Sequence, residues 1–113
     1  MKIIFILFPI YLVLNSCGSS SGVITDGNIA YEYKKYQLAA SLLETKFQKE
    51  TNPIYKFEIA KKIGDSYRAY SNSSKAEQWY KIANDLQFDP YVALQYGAML
   101  KMNEKYSDAI TYF

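Results

Sequence analysis

The chain of 113 residues contains no histidine and a single cysteine, Cys17. Histidine is the commonest general base and the commonest metal ligand in proteins, so its absence argues against both kinds of site. One thiol cannot form an internal disulfide or a zinc site built from cysteines. The sequence also lacks a glycine-rich phosphate loop. We therefore expect no enzyme, no catalytic residue, no metal and no cofactor.

An excess of charge of one sign is also missing. Thirteen Lys and Arg residues stand against eleven Asp and Glu residues, which leaves a formal net charge of +2. The charges are mixed along the chain, whereas nucleic-acid binders usually carry a basic patch or stripe. Half of the residues are hydrophobic and 17% are aromatic, so the chain can bury a core. We expect one small folded domain without a nucleic-acid partner.

The N-terminus carries an apolar run of twelve residues, from Ile3 to Leu14. This run is shorter than the roughly 20 residues that cross a bilayer, but it suits the apolar region of a signal peptide. Leu14, Asn15 and Ser16 then precede Cys17, and this order resembles a bacterial lipobox. The resemblance implies that residues 1–16 are a signal peptide and that Cys17 receives a diacylglycerol and a fatty acid such as palmitate. Residues 17–24 would be a flexible tether.

Two other interpretations of Cys17 remain open. It could be an incidental residue of an ordinary secreted protein, or it could belong to an uncleaved membrane anchor. Several acyl chains would hold the protein far more firmly than one, since each buried methylene adds about 0.8 kcal/mol of membrane affinity.

The rest of the chain repeats itself at a spacing of 33 residues. Paired at this spacing are Ala60 and Ala93, Gly64 and Gly97, Ala76 and Ala109, and Tyr80 and Phe113. A fainter copy lies upstream, in which Gly27 and Ala39 precede Gly64 and Ala76 by 37 residues. The larger spacing predicts a longer connection after this first copy. A fixed period of this size is typical of helical repeat proteins.

The repeat resembles the tetratricopeptide repeat, a helix–turn–helix unit of about 34 residues. That family places small residues and aromatics at fixed positions, which are met here by Gly64, Tyr67, Ala76, Tyr80 and Ala83. The resemblance implies an all-α fold, an α-solenoid of about 2.5–3 stacked repeats over residues 25–113, preceded by the signal segment. Within each repeat, Gly and Ala would let two helices approach closely while aromatics fill the space beside them.

Helical periodicity and chain breaks predict six helices, at residues 25–34, 37–50, 54–70, 74–87, 90–102 and 106–113. Pro53 and Pro90 fit first-turn positions, and Ser74 with Glu77 fits a capping box. The last helix stops at Phe113, a position expected to face inward. A solenoid needs a polar capping helix, so we expect the sequence to be truncated at its C-terminus. The alternative is a short protein whose last helix packs on a partner.

In the repeat family, four places on the first helix of each repeat line a concave groove. The resemblance assigns the partner-binding groove to Glu58, Lys61, Asp65, Arg68, Tyr91, Leu94 and Lys101. Such a groove could take an extended peptide or a helix of a protein partner. The alternative is a solvated face in which charges three and four residues apart form weak ion pairs.

The lipobox, the short tether and the phrase "KKIGDSYRAYSNSSKAEQWY" together resemble the N-terminal part of Bacteroidota OmpA-family outer-membrane lipoproteins. In these proteins, repeats precede a β-propeller and a peptidoglycan-binding domain, and some serve gliding or type IX secretion. The resemblance implies a lipid-anchored scaffold at the bacterial cell envelope, in the outer membrane facing the periplasm. The alternative is a nutrient-uptake lipoprotein with helical repeats, which would bind a glycan at an outer-membrane transporter.

Overall fold

The computed structural model describes residues 22–113, with Tyr106 and Ser107 described by their backbone alone. The predicted signal peptide, Cys17 and most of the predicted tether lie outside these residues. The described part contains no strand and six helices: α1 (Gly27–Glu32), α2 (Tyr36–Lys49), α3 (Pro53–Ala69), α4 (Ser73–Leu86), α5 (Pro90–Met102) and α6 (Tyr106–Ile110). From residue 22 onward, no helix is both long and apolar enough to cross a membrane.

Each helix packs against the next one along the chain, from α1 to α6. The prediction of an all-α fold is confirmed, and the serial packing is consistent with an α-solenoid. The six helices form three consecutive pairs, α1 with α2, α3 with α4, and α5 with α6. Their contacts form a continuous core, which includes the buried alanines Ala39, Ala76 and Ala109 near the start of each second helix.

Short polar side chains begin four of the helices. Asp26, Asn52, Asn72 and Asp89 each accept a hydrogen bond from a backbone N–H of the first turn. These oxygens satisfy amides that have no partner within the helix. Pro53 and Pro90 occupy the first turns of α3 and α5, as predicted. The predicted capping box of α4 is wrong, because Asn72 is the N-cap and α4 begins at Ser73.

The turn inside each pair has the same left-handed geometry. Lys34, Ser71 and Glu104 have φ values of 60°, 67° and 64°. The following residue then donates its N–H to a carbonyl five residues back, for example from Asn72 to Tyr67 at 2.8 Å. This is the Schellman arrangement, which usually employs glycine at the left-handed position. Each of the three turns therefore places a non-glycine residue in the left-handed conformation, which is unfavourable for residues that carry a side chain.

The spacing of 37 residues between the first two pairs comes from helix α3. The predicted longer connection is wrong, because the loops at residues 50–52 and 87–89 are equally long. Gly64 is instead the twelfth residue of α3, whereas Gly97 is the eighth residue of α5. The four additional residues add about one helical turn at the start of α3. This turn carries Ile54 and Tyr55, whose side chains are largely exposed.

The three glycines at repeat spacing lie where the helices of a pair cross. A Cβ atom on Gly27 would lie 2.7 Å from Leu43, and one on Gly64 would lie 2.8 Å from the ring of Tyr80. At Gly97 the nearest atom would be the Cβ of Tyr112, at 3.1 Å. The distances at Gly27 and Gly64 are shorter than a Cβ atom allows, whereas a Cβ atom at Gly97 would require only a small shift of its neighbour. The missing side chains therefore allow a close helix approach, most strictly in the first two pairs.

The third pair departs from the sequence-based prediction in its second helix. The predicted helix 106–113 ends at Ile110, and residues 111–113 continue as turns. Phe113 was expected to face inward. Its ring approaches Gly97, yet 65% of the side chain is exposed, because no further helix of the described chain covers it.

Candidate functional site

The predicted groove residues all lie on α3 and α5, the first helices of the second and third pairs. The structure joins three of them directly by hydrogen bonds: Asp65, Arg68 and Tyr91. Tyr80 of α4 completes the group, and we call these four residues the Asp65 cluster. Glu58 and Lys61 form a separate ion pair, and Leu94 and Lys101 lie further along α5.

Gly64 positions the first member of the cluster. Because Gly64 has no side chain, the ring of Tyr80 packs directly onto α3 and is completely buried. The Tyr80 hydroxyl then donates a hydrogen bond to Oδ1 of Asp65 at 2.5 Å. The helix crossing and the buried carboxylate are thus connected. Gly64 makes room for the Tyr80 ring, and the Tyr80 hydroxyl gives the Asp65 carboxylate a hydrogen-bond donor.

Tyr91 connects the cluster to the next pair. Its hydroxyl donates to the same Oδ1 of Asp65 at 2.7 Å, across the boundary between α3 and α5. Arg68 lies one turn after Asp65 and donates from Nε to the Tyr80 hydroxyl at 3.0 Å and from Nη2 to the Tyr91 hydroxyl at 3.2 Å. Its Nη2 is 3.8 Å from Oδ1 of Asp65. Each hydroxyl therefore accepts from arginine and donates to the carboxylate.

Burial and the carboxylate both act on the tyrosines of the cluster. Burial, and then the hydrogen bond to Asp65, raise the pKa of Tyr80 well above its usual range. The same two causes raise the pKa of Tyr91 to about 12. Both hydroxyls therefore stay protonated to a higher pH than an ordinary tyrosine, and the protonated form is the one that can donate to a carboxylate. Asp65 is only 9% exposed, and its Oδ1 accepts both hydroxyls.

Tyr31 of α1, in the first helix pair, lies near the Asp65 cluster. Burial and the nearby charge of Asp65 raise the pKa of Tyr31. Beside it, Lys62 of α3 donates from Nζ to Oδ1 of Asn28 at 2.9 Å and lies 5.7 Å from the centre of the Tyr31 ring. The three first helices α1, α3 and α5 are thus linked through the neighbourhood of Asp65.

The sequence did not identify Tyr80 as part of this site. Its spacing predicted only a core aromatic, and the ring is indeed buried. The available signal was the presence of Asp65 directly after Gly64, because a tyrosine packed on the glycine brings its hydroxyl next to the following residue. In the first pair, Leu43 packs on Gly27 and has no polar atom, so the arrangement is specific to the second pair.

The remaining predicted charges on α3, Glu58 and Lys61, form an ion pair that is compatible with both interpretations. Nζ of Lys61 is 3.6 Å from Oε2 of Glu58, and the two side chains are 26% and 51% exposed. A partly exposed pair of this kind contributes at most about 1 kcal/mol and is weakened further by salt. Glu58 and Lys61 thus fit a solvated face as well as a groove.

Leu94 lies at an apolar hollow at the end of the third pair. The hollow has a volume of about 620 Å³ and is lined by Asn84, Phe88, Pro90, Ala93, Leu94, Thr111, Tyr112 and Phe113. Leu94 is 51% exposed, and Lys101 is exposed about two turns further along the same face of α5. Leu94 lies one helical turn after Tyr91 of the Asp65 cluster.

The chemistry available to this surface is recognition through hydrogen bonds, charge and apolar contact. Within residues 22–113, no group of three or more acidic, cysteine or histidine side chains is placed to hold a metal ion. The Asp65 cluster offers a fixed cation, Arg68, and a half-exposed ring, Tyr91, at a boundary between helix pairs. These are the kinds of side chain that contribute most strongly to protein interfaces.

Comparison of the chain with protein-family models, with curated proteins and with solved structures finds no match.

Proposed function

We propose that this chain is the tetratricopeptide-repeat part of a lipid-anchored scaffold, which holds a protein partner at the bacterial cell envelope. The observation that carries the proposal is the glycine at each of the three helix crossings: Gly27, Gly64 and Gly97. They are spaced by 37 and 33 residues, and each lies against a side chain of the second half of its pair. The proposed protein acts by binding and has no enzymatic activity.

The groove supports a binding role because its side chains are fixed but not covered. Tyr91 is hydrogen-bonded on one edge and 40% exposed, and Arg68 is held by two hydroxyls with its side chain 41% exposed. Preorganised aromatic and arginine side chains lose little freedom on binding, so they favour association. The groove residues proposed to contact the partner are Glu58, Lys61, Arg68, Tyr91, Leu94 and Lys101, while the buried Asp65 of the predicted set holds Tyr91 and Arg68 in place.

Crosslinking from defined positions tests whether a partner occupies this groove. A photoreactive amino acid is introduced at Ala98 or Lys101 on α5, and at Gln78, which is exposed on α4, as the matched control. In intact cells we expect discrete protein adducts from positions 98 and 101 and none from position 78. Equal adducts from all three positions would contradict a groove-specific partner.

The membrane part of the proposal depends on Cys17, which lies outside the described residues. We expect Cys17→Ala to abolish labelling by a radioactive fatty acid and to leave the precursor unprocessed. Ser16→Ala keeps a small residue before the cysteine, so this control should be labelled and processed like the wild-type chain. Unchanged labelling of Cys17→Ala would overturn the anchor.

Within this scaffold class, we propose the N-terminal part of an OmpA-family lipoprotein that serves cell-wall tethering, secretion or gliding. Its site would be the outer membrane, on the periplasmic side. The coding sequence after Phe113 tests this narrower assignment, because an OmpA-like domain there would support it. A stop codon directly after Phe113 would contradict it and favour a short adaptor.

A second candidate, a glycan-binding lipoprotein of nutrient uptake, is favoured by the surroundings of Tyr55. Its ring is 59% exposed at a hollow of about 340 Å³, which is also lined by Glu50, Glu58 and Lys62. An aromatic ring with a few convergent polar groups is typical of small-ligand sites. Calorimetry with maltoheptaose and with Tyr55→Ala tests this candidate, which requires heat of binding that the variant loses.

A further inference from the structure

Positive charge is concentrated where helix α2 ends and helix α3 begins. Residues 46–62 contain five Lys and two Glu residues, a formal charge of +3, whereas the whole chain carries +2. None of the ion pairs among the described residues includes Lys46, Lys49 or Lys56. These three cations are therefore not neutralised by ion pairs within the described part of the chain, and an anionic partner can approach them.

The two carboxylates of this segment already have partners within the chain. Oε2 of Glu58 lies 3.6 Å from Nζ of Lys61. Oε1 of Glu50 accepts the backbone N–H groups of Thr51 and Asn52 at 3.2 Å and 3.1 Å. Both carboxylates thus serve local contacts, and the segment keeps its excess of cations.

The extra turn at the start of α3 places apolar surface beside these lysines. Ile54 and Tyr55 are 64% and 59% exposed. Tyr55 lines the same hollow as Lys46, and Nζ of Lys56 lies 4.7 Å from the ring centre of Phe47 on α2. We call this surface the basic corner, which consists of Lys46, Lys49, Ile54, Tyr55 and Lys56. Exposed apolar side chains flanked by cations fit the surface of a bilayer with anionic headgroups.

The folded chain begins beside the basic corner. Thr25 precedes α1 by two residues and lies in a hollow that also contains Lys46 and Lys49. Thr25 follows Cys17 by eight residues. Eight residues span at most about 29 Å, whatever their conformation. A lipid on Cys17 would therefore hold the basic corner close to the bilayer.

We propose that the basic corner docks on the surface of a bilayer that contains anionic phospholipids and thereby orients the helix pairs on the membrane. The three lysines contact lipid phosphates, and Ile54 and Tyr55 enter the headgroup region. This inference rests on the proposed function, because the lipid anchor keeps the chain near the bilayer while the corner sets its orientation. Helix α3 then begins at the membrane, and the left-handed turn after it lies further away.

Quenching by nitroxides attached to lipids tests the docking. The full lipid-modified chain carries a naphthalene-based fluorescent amino acid at position 54. In the matched control the same amino acid replaces Met102 at the end of α5, because Ile54 and Met102 are 64% and 63% exposed. The vesicles contain phosphatidylcholine, phosphatidylglycerol and a phosphatidylcholine with a nitroxide in its headgroup. We expect quenching at position 54 to exceed that at position 102 at least about threefold, since only the corner enters the headgroup region.

Two results of this measurement would overturn the proposal. Equal quenching at positions 54 and 102 would mean that the chain has no preferred orientation on the bilayer. Absence of quenching at position 54 would be expected if the corner bound an acidic protein instead of lipid.

Replacement of lysines tests the role of charge. Lys46→Gln combined with Lys49→Gln should reduce the quenching at position 54 at least about twofold, and vesicles of phosphatidylcholine alone should have the same effect. The matched control combines Lys34→Gln with Lys35→Gln, which removes two exposed lysines at the other end of α2. This control should change the quenching by less than about a tenth. Equal losses in the two double variants, or equal quenching on neutral and anionic vesicles, would contradict the proposal.

Flotation with vesicles of phosphatidylcholine separates this inference from the proposed function. If the chain floats with them but position 54 is not quenched on anionic vesicles, the docking is wrong and the anchor stands. If the chain does not float with them, the anchor of the proposed function is wrong. Quenching at position 54 on anionic vesicles would in that case still support the docking.

Discussion

Gly64 and Gly97 occupy equivalent places in the second and third helix pairs, yet their surroundings differ. Gly64 lies under Tyr80, which is completely buried, within a pair whose second helix has 14 residues. Gly97 lies under Tyr112 and Phe113, which follow a helix of five residues, and Phe113 is 65% exposed. Two glycines at equivalent positions of the repeat can therefore contribute differently to the stability of the chain. A close crossing constrains the chain strongly only where the side chain that fills it has no alternative position.

The largest expected effect is that of a bulky side chain at the two crossings. Gly64→Leu should lower the free energy of unfolding by about 3 kcal/mol or more, because the buried Tyr80 ring cannot move aside. Gly97→Leu should cost about 1 kcal/mol, since Phe113 is already 65% exposed and Tyr112 follows a helix of only five residues, so both can shift more easily than Tyr80. Urea unfolding followed by circular dichroism measures both variants. Equal losses would show that the two crossings constrain the chain to the same extent.

A smaller effect is expected from removing the carboxylate of the cluster. Asp65→Ala should cost about 2 kcal/mol, because it leaves the Tyr80 hydroxyl without an acceptor in a buried place. The equivalent position in the first pair is Asn28, whose side chain accepts only from Lys62. Asn28→Ala should cost about 0.5 kcal/mol. Thermal unfolding of the two variants checks this order, and a larger loss at position 28 would contradict it.

The hydroxyl network also predicts how the stability of the chain depends on alkaline pH. The pKa of Tyr91 is raised from 10.0 to about 12 in the folded chain, so folding favours the protonated hydroxyl. This stabilisation is fully present below pH 10 and is lost as the pH rises towards 12. Urea unfolding at several pH values between 8 and 11.5 should show a smaller decline for Tyr91→Phe than for the wild-type chain. Identical slopes would mean that Tyr91 does not contribute to the pH dependence.

The smallest effects should come from the left-handed turns, which are alike in all three pairs. A left-handed residue with a side chain costs roughly 1–2 kcal/mol, part of which glycine gives back through its greater freedom when unfolded. Ser71→Gly and Glu104→Gly should therefore each raise the free energy of unfolding by about 0.5–1 kcal/mol. Comparable gains in the free energy of unfolding would show that the turns of the second and third pairs are equally strained, so that the two pairs differ at their helix crossings. A loss in either variant would contradict the strain assigned to that turn.

The sequence predicted the all-α fold and the order of the helices because the small residues recur at a fixed spacing. The resemblance to the repeat family placed Gly64 and Gly97 at helix crossings, and the structure shows a close contact at both. Helix ends were less predictable. Asn72 caps α4 in place of Ser74, and the difference depends on backbone geometry that neighbouring Asn and Ser residues satisfy almost equally well.

The candidate site could be predicted only in part from the sequence. Periodicity put Asp65, Arg68 and Tyr91 on matching faces of α3 and α5, but it could not show that they share hydrogen bonds. That contact depends on the relative placement of two helices, which the repeat pattern does not specify. Glu58 and Lys61 have the same periodicity and form only an exposed pair. Burial, which distinguishes the two cases, is a property of the packed chain.

The extra turn at the start of α3 bears on how such an array changes in length during evolution. Four residues rotate a helix by about 400°, only about 40° more than a complete revolution. Inserting or deleting them therefore leaves Gly64 facing almost the same direction and keeps its partner Tyr80 in place. A whole helical turn can thus be gained or lost at the N-terminal end of α3, where Ile54 and Tyr55 are exposed, with little change in the direction that Gly64 faces.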